Sequence, residues 1–130
     1  MSDTPELLPP LSQLSQDEQL LRSSVREFAE TEIAPLVKSM DEQGVIPRSV
    51  IDKLFNLGVM AIEIPESYGG AGGHFFLSMI AVEELSRIDP SVAVLVDVQN
   101  TLVVNAILRW GSDDIKERFL SKLSVDAVGA

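Results

Sequence analysis

The stretch that decides the fold covers residues 89–110 and reads DPSVAVLVDVQNTLVVNAILRW. Asp89 followed by Pro90 is typical of a helix start, because the carboxylate can cap free backbone N–H groups and proline suits the first turn. Gly111 marks the end of the predicted helix. Apolar side chains cover nearly its whole circumference, which predicts that it is buried on all sides. Four other short helices could supply most of that cover, so full burial points to further neighbours.

Helical signals on both sides of this stretch predict an all-α bundle of about five helices. Ser15 and Glu18 form a capping box that begins the first helix, and Pro35 ends or kinks it. The remaining predicted features, in chain order, are a connector over 41–46, a helix starting at Pro47 and ending at Gly58, a loop over 65–73, a third helix over about 74–87, and a short fifth helix capped by Ser112.

The chain is predicted to consist of three segments. Residues 1–14 are expected to form a flexible N-terminal arm, because Pro5, Pro9 and Pro10 disfavour helix. Residues 15–123 form the helical domain. Residues 124–130 are expected to be extended.

Composition excludes several classes of function. The 130 residues include 20 acidic and 10 basic side chains, for a formal net charge of −10. Nucleic acid and anionic membrane surfaces are therefore poor partners, since both attract Lys and Arg. Without cysteine and with His74 as its single histidine, the chain has no set of ligands typical of zinc or Fe–S sites. We expect no metal site, and this lack of reactive residues suggests that the chain is part of something larger.

The sequence shows no pattern typical of a membrane span, a signal peptide or a transit peptide. The most apolar stretch is interrupted by Asp97, Gln99 and Asn100, so we expect no membrane span. The N-terminus lacks the basic start of a signal peptide and the Arg-rich character of a transit peptide.

Other polar motifs have ordinary structural explanations. The glycines of residues 69–73 precede a helix and could cradle a phosphate, but no Gly-Lys-Ser/Thr follows them and no strong β-strand precedes them. A turn-rich connector with positive φ angles is the favoured interpretation. His74 can cap the third helix or face solvent. Three carboxylate pairs are expected in first turns or on exposed helix faces, which leaves no catalytic residue assigned: Asp17/Glu18, Glu83/Glu84 and Asp113/Asp114.

Polar side chains inside the most apolar helix are the candidates for a site. Asp97, Gln99 and Asn100 need partners if they are buried. They could bond to neighbouring backbone, or they could belong to the wall of a pocket. Substrate contact is predicted for four residues at helical spacing, which form an aliphatic face with one polar group: Leu95, Val98, Gln99 and Leu102.

Five segments in a fixed order carry a resemblance to the N-terminal helical domain of the acyl-CoA dehydrogenases. They are FAETEIAP (28–35), LGVMAI (57–62), IPESYGGAG (64–72), EELS (83–86) and DPSVAVLV (89–96). The resemblance extends over about nine-tenths of the chain. Residues 92–94 and 98–102 are most similar to the short/branched-chain members, which act on short 2-methyl-branched acyl-CoA esters.

The resemblance implies an expected activity and location. Members of this family carry a helical domain, a β-barrel domain and a C-terminal four-helix bundle, and they are usually tetramers. FAD lies between the barrel and the bundle, and a glutamate of the bundle removes the α-proton of the thioester while the β-hydride passes to the flavin. Residues 124–130 would then begin the barrel, and the four pocket residues would set acyl-chain length. A mitochondrial matrix or bacterial cytoplasmic location is implied.

The chain alone is expected to be inactive, because the family's flavin site and base lie in parts that it does not contain. No residue of this chain is therefore assigned to cofactor binding. Two other interpretations stay open: a non-enzymatic helical binding or interaction module derived from this family, and a marginally stable structural remnant.

Overall fold

The computed structural model describes residues 10–130, which form helices and loops and contain no β-strand. The helices join end to end into five rods, which confirms the predicted all-α bundle. Most of the predicted arm, residues 1–9 of 1–14, lies outside the described residues. The first to fifth rods are, in chain order, α1 (Gln16–Phe28) continued by a π-helical turn (Ala29–Ile33), a 3₁₀ turn (Ala34–Leu36) and α2 (Val37–Gln43); α3 (Arg48–Leu57); α4 (Phe75–Ser86); α5 (Pro90–Asp97) continued by a π-helical stretch (Val98–Val104) and α6 (Asn105–Trp110); and α7 (Asp113–Val125).

Helix ends follow the local signals in the sequence. The Ser15 hydroxyl accepts the Glu18 backbone N–H at 3.2 Å, and the Glu18 carboxylate accepts the Ser15 N–H at 2.9 Å. Asp89 caps α5 by accepting the Ser91 N–H at 2.8 Å. Gly58 ends α3 with a φ of +89°, a conformation that glycine adopts without steric cost. These three predictions are confirmed.

Pro35 interrupts the regular α-helical turns of the first rod but does not end it. The chain remains helical through a π-helical turn and a 3₁₀ turn around the proline and continues to Gln43. These changes of turn accommodate a residue that lacks a backbone N–H and crowds the preceding turn. The connector predicted over 41–46 is therefore wrong for residues 41–43, and the rod ends at Gly44, whose φ is +65°.

The fifth rod is longer than predicted. Residues 124–130 were expected to be extended, but Ser124 and Val125 belong to α7. The Ser124 hydroxyl donates to the carbonyls of Leu120, at 2.8 Å, and Tyr68, at 2.6 Å, which ties the last helical turn to the loop before α4. Residues 126–130 leave the helix.

Two hydrophobic clusters meet at the fourth rod. The main cluster contains residues from the first four rods, and a smaller cluster lies towards α7. Val92 and Val96 of the fourth rod pack in the main cluster, whereas Val104 packs in the smaller one. This rod therefore joins the two halves of the core, as expected of the most apolar helix.

One side of the fourth rod is nevertheless open to solvent. Val94 is 58% exposed and Leu102 is 62% exposed, so the other rods of this chain leave this face uncovered, and its burial would need the further neighbours that the sequence predicts. The rod, Pro90–Trp110, is long and apolar enough to cross a membrane by length and composition alone. Core helices of globular proteins meet the same criterion, and here the opposite side packs into both hydrophobic clusters.

An ion pair fastens α1 to α4. Glu84 was predicted on an exposed helix face, but its side chain is only 3% exposed. Arg26 of α1 donates to both of its carboxylate oxygens, and Arg87 donates to one of them at 3.1 Å. The prediction is wrong because Glu84, unlike its exposed neighbour Glu83, lies on the side of α4 that packs against α1, where a guanidinium compensates the burial.

Candidate functional site

The π-helical stretch Val98–Val104 in the middle of the fourth rod brings two adjacent amides into the protein interior. Gln99 and Asn100 follow one another in sequence, and both are fully buried. Buried amides need hydrogen-bond partners, and each finds them on a different irregular segment. The stretch is therefore joined to two separate parts of the backbone by side-chain hydrogen bonds.

Asn100 holds the segment between α3 and the glycine loop. Its Oδ1 accepts the Ile62 N–H at 3.0 Å, and its Nδ2 donates to the carbonyls of Val59, at 2.7 Å, and Val96, at 2.9 Å. Both sides of the amide are therefore used. For this residue the sequence left two roles open, and the structure shows bonding to neighbouring backbone.

Gln99 holds the segment that follows α7. Its Nε2 donates to the carbonyl of Ala127 at 2.9 Å and, more weakly, to that of Leu123 at 3.4 Å. Its Oε1 accepts the Gly129 N–H at 2.8 Å. The amide is thus engaged with the chain's own backbone.

The four residues predicted to contact substrate occupy different environments. Leu95 is half-buried against the main cluster, and Val98 is half-buried. Gln99 is fully buried, and Leu102 is 62% exposed. The spacing predicts one shared face in a regular α-helix, but the wider π-helical turns rotate Leu102 away from Gln99.

A row of apolar side chains at four-residue intervals follows the open side of the rod. We call it the exposed stripe, and it consists of Val94, Val98, Leu102 and Ala106. A four-residue interval lies between the periods of α- and π-helix, so alternation of the two keeps the row on one side. Val94 was missed by the sequence reasoning, and a search at this interval would have found it. Trp110, which is 86% exposed, continues the same spacing.

The glycine loop is a connector held by its own backbone. The amides of residues 69–73 all donate to carbonyls of residues 61–66. Gly69 and Gly72 have φ angles of +86° and +64°, as the connector interpretation predicts. With these N–H groups already bonded, the loop has no amides directed at a phosphate. His74 occupies the N-cap position of α4, is exposed, and makes no side-chain cap bond.

Two carboxyl groups within residues 10–130 have lowered pKa values, and both take part in structural contacts. The backbone N–H of Ser15 holds the pKa of the Glu18 carboxyl below its usual value. Hydrogen bonds from Arg26 do the same for the pKa of Glu84, against the effect of burial. Within residues 10–130 no group of three His, Asp or Glu side chains could hold a metal ion. The exposed stripe and the two buried amides are therefore the features that carry a functional interpretation.

Comparison with known proteins defines the class. Residues 15–125 match the family model described as "Acyl-CoA dehydrogenase, N-terminal domain", and the chain belongs to this family. It is 43% identical over 129 residues to a protein named probable short/branched chain specific acyl-CoA dehydrogenase from Dictyostelium discoideum, covering 99% of this chain and 31% of that protein. It is 41% identical over 119 residues to the mitochondrial short/branched chain specific acyl-CoA dehydrogenase of Bos taurus, covering 92% and 28%.

A solved structure supports the same assignment. Butyryl-CoA dehydrogenase from Megasphaera elsdenii is similar with a TM-score of 0.80 and 32% identity, covering 88% of this chain and 30% of that one. The chain spans about a third of the length of the curated relatives that it matches.

Proposed function

We propose that this chain is the N-terminal domain of a flavin-dependent acyl-CoA dehydrogenase that oxidises short or 2-methyl-branched acyl-CoA esters. The single observation that carries the proposal is the exposed stripe. It is an aliphatic surface left open on the helix that is otherwise the centre of the core, in a chain whose relatives carry names of short and branched-chain enzymes.

The exposed stripe is suited to contact the hydrocarbon end of an acyl chain. Val98 and Leu102 offer branched apolar atoms without a competing polar group, and Val94 extends the surface by one turn. Leu95 contributes from the margin, where it also packs against the main cluster. Gln99 supports this wall from behind, because its amide is already engaged.

Flavin chemistry belongs to the remainder of such an enzyme. The glycine-loop amides are bonded to residues 61–66, so the loop does not provide a site for the phosphates of FAD. FAD would accept the hydride where the whole enzyme binds it, and we assign no step of the reaction to residues 10–130. By itself the chain should therefore not turn over, and the tetramer expected of the family would form through the whole protein. Its location would be the mitochondrial matrix, as in the name of the Bos taurus relative, or a bacterial cytoplasm.

A domain exchange tests the proposal. Residues 15–125 of this chain replace the corresponding segment of a short/branched chain specific acyl-CoA dehydrogenase, and kcat/KM is measured for straight and 2-methyl-branched acyl-CoA of increasing length. We expect bound flavin and a preference for short chains. A chimera that folds and binds FAD but oxidises no acyl-CoA would contradict the proposal. Acceptor reduction by the isolated chain with acyl-CoA would contradict its inactivity.

A non-enzymatic interaction module is the second candidate, favoured by the large exposure of Leu102 and Trp110. Exposed apolar rows of this kind are typical of contact surfaces. Size-exclusion chromatography with a full-length relative separates the two candidates. A complex at micromolar concentration supports the module, and unchanged elution counts against it.

A further inference from the structure

The buried amide of Gln99 directs all three of its hydrogen bonds to one segment, residues 123–129. Two carbonyls, those of Leu123 and Ala127, accept from Nε2, and the Gly129 N–H donates to Oε1. These partners lie 24 to 30 residues away in sequence. A side chain that donates and accepts on the same segment fixes both its position and its direction.

Three further contacts hold the same segment. Arg48 Nη2 donates to the Asp126 carbonyl at 2.8 Å. Val128 packs against the main cluster. Gly129 lies so close to Val103 that an added Cβ would be 2.5 Å from Cγ1 of that valine. Residues 126–129, which we call the strap, therefore pass against the π-helical stretch.

We propose that Gln99 is a positioning residue, which clamps the strap against the helix that carries the exposed stripe. The polypeptide that follows residue 130 in a full-length enzyme would then begin at a fixed place beside Gln99 and Val103. The effect on the polypeptide after residue 130 rests on the proposed function. The clamp itself consists of hydrogen bonds between described residues.

Glutamine is suited to this position because it is neutral and has both a donor and an acceptor. Gln99→Met fills nearly the same volume but bonds to none of the three backbone groups. Gln99→Glu keeps the acceptor for Gly129 but places a carboxylate against the Ala127 carbonyl. Thr101→Val is the matched control, since Thr101 bonds only to Asp97 of its own rod.

Amide hydrogen exchange of the 130-residue chain, followed by NMR, tests the clamp without any need for turnover. In Gln99→Met we expect the protection of the Gly129 amide to fall by about tenfold, with protection within α4 unchanged. We expect Gln99→Glu to lie between Gln99→Met and the wild type, and Thr101→Val to leave Gly129 unchanged. Unaltered protection of Gly129, or an equal loss throughout the domain, would overturn the proposal.

A second measurement requires no variant, so it remains available if Gln99→Met does not fold. The side-chain NH₂ protons of Gln99 should exchange more slowly than those of the exposed Gln16 and Gln43. Equal exchange rates would also overturn the clamp.

The chimera extends the test to the enzyme. A positioning role predicts that Gln99→Met lowers kcat/KM by the same factor for every acyl-chain length. A change in chain-length preference would instead mean that Gln99 touches the acyl group, and would overturn the positioning role. If the chimera is active but Gln99→Met leaves the protection of the Gly129 amide unchanged, the clamp alone is contradicted. If Gln99→Met lowers that protection but the chimera is inactive, the proposed function alone is contradicted.

Discussion

Arg26 and Glu84 form a two-point ion pair across 58 residues of sequence, with Nε to Oε2 at 2.8 Å and Nη2 to Oε1 at 3.0 Å. The carboxylate is buried, while the guanidinium is 43% exposed. The pair joins α1 to α4 at the edge of the main cluster. Its paired geometry fixes the relative orientation of the two helices more firmly than a single contact could.

This pair should make stability depend on pH. Hydrogen bonds from Arg26 hold the pKa of the Glu84 carboxyl below its usual value, with a smaller contribution from Arg87. The stabilisation is therefore fully present above the unfolded-state pKa of about 4.3, and it is lost as pH falls through the lower folded-state value. We expect Glu84→Gln to lower Tm at pH 7 and to converge with the wild type in acid. Thermal melts from pH 7.5 to 3 check this.

Glu83→Gln is the control, because Glu83 is the exposed neighbour on the same helix. It should change Tm little at any pH. A Glu84→Gln offset that stays constant over the whole range would contradict the pH prediction.

Asn100 should be the most costly amide to replace. Asn100→Leu keeps the approximate volume but leaves the buried Ile62 N–H and the Val59 carbonyl without their side-chain partner. We expect a loss of about 3 kcal/mol in the free energy of unfolding, measured by urea denaturation. Asn105→Ala, at a half-buried position of the same rod, should cost less than about 1 kcal/mol. Similar losses in the two variants would argue against a special role for Asn100.

Gly70 should not tolerate alanine. An added Cβ would lie 2.1 Å from the Ile64 carbonyl oxygen, which also accepts the Gly72 N–H. Gly70→Ala should therefore cost about 2–3 kcal/mol by overpacking, measured by thermal or urea unfolding. Gly44→Ala meets no atom within 4 Å and has only its positive φ to oppose it, so it should cost about 1–2 kcal/mol. The reverse order of stability would contradict this explanation.

Substitutions of Leu95 and Val98, which we propose to contact the acyl chain, should alter the preference for acyl-chain length more than the rate of oxidation. In the chimera, Val98→Ala and Leu95→Ala shorten apolar side chains and enlarge the space left for the acyl chain. The preferred acyl chain should therefore become longer or more branched. One methylene in such a pocket is worth about 1–3 kcal/mol of discrimination, measured as ratios of kcat/KM across chain lengths. Val125→Ala, exposed on α7, is the control. An equal loss of kcat/KM for all substrates would mean that these residues do not contact the acyl chain.

Sequence reasoning succeeded where the decisive bonds are local. The Ser15–Glu18 capping box and the Asp89 cap join residues two or three positions apart, so residue type and spacing suffice to predict them. The all-α fold follows from the same kind of signal, together with apolar periodicity.

The candidate site was harder to predict because its partners are distant and its helix is irregular. Gln99 bonds to residues up to 30 positions away, and Glu84 pairs across 58, so nothing local identifies either partner. The predicted pocket face assumed 3.6 residues per turn throughout the rod. That period does not hold in the π-helical stretch, which separates Gln99 from Leu102.

The π-helical stretch also makes the number of residues in the fourth rod a constraint of its own. Each residue of an α-helix turns the chain by about 100°, and the π-helical turns already hold more residues than α-helical ones, so inserting a further residue between 98 and 104 would rotate everything from Asn105 onwards relative to α5. Val104 would leave the smaller cluster, and α7 would be carried away from the loop that Ser124 holds. Apolar exchanges along this rod should be far better tolerated than such an insertion.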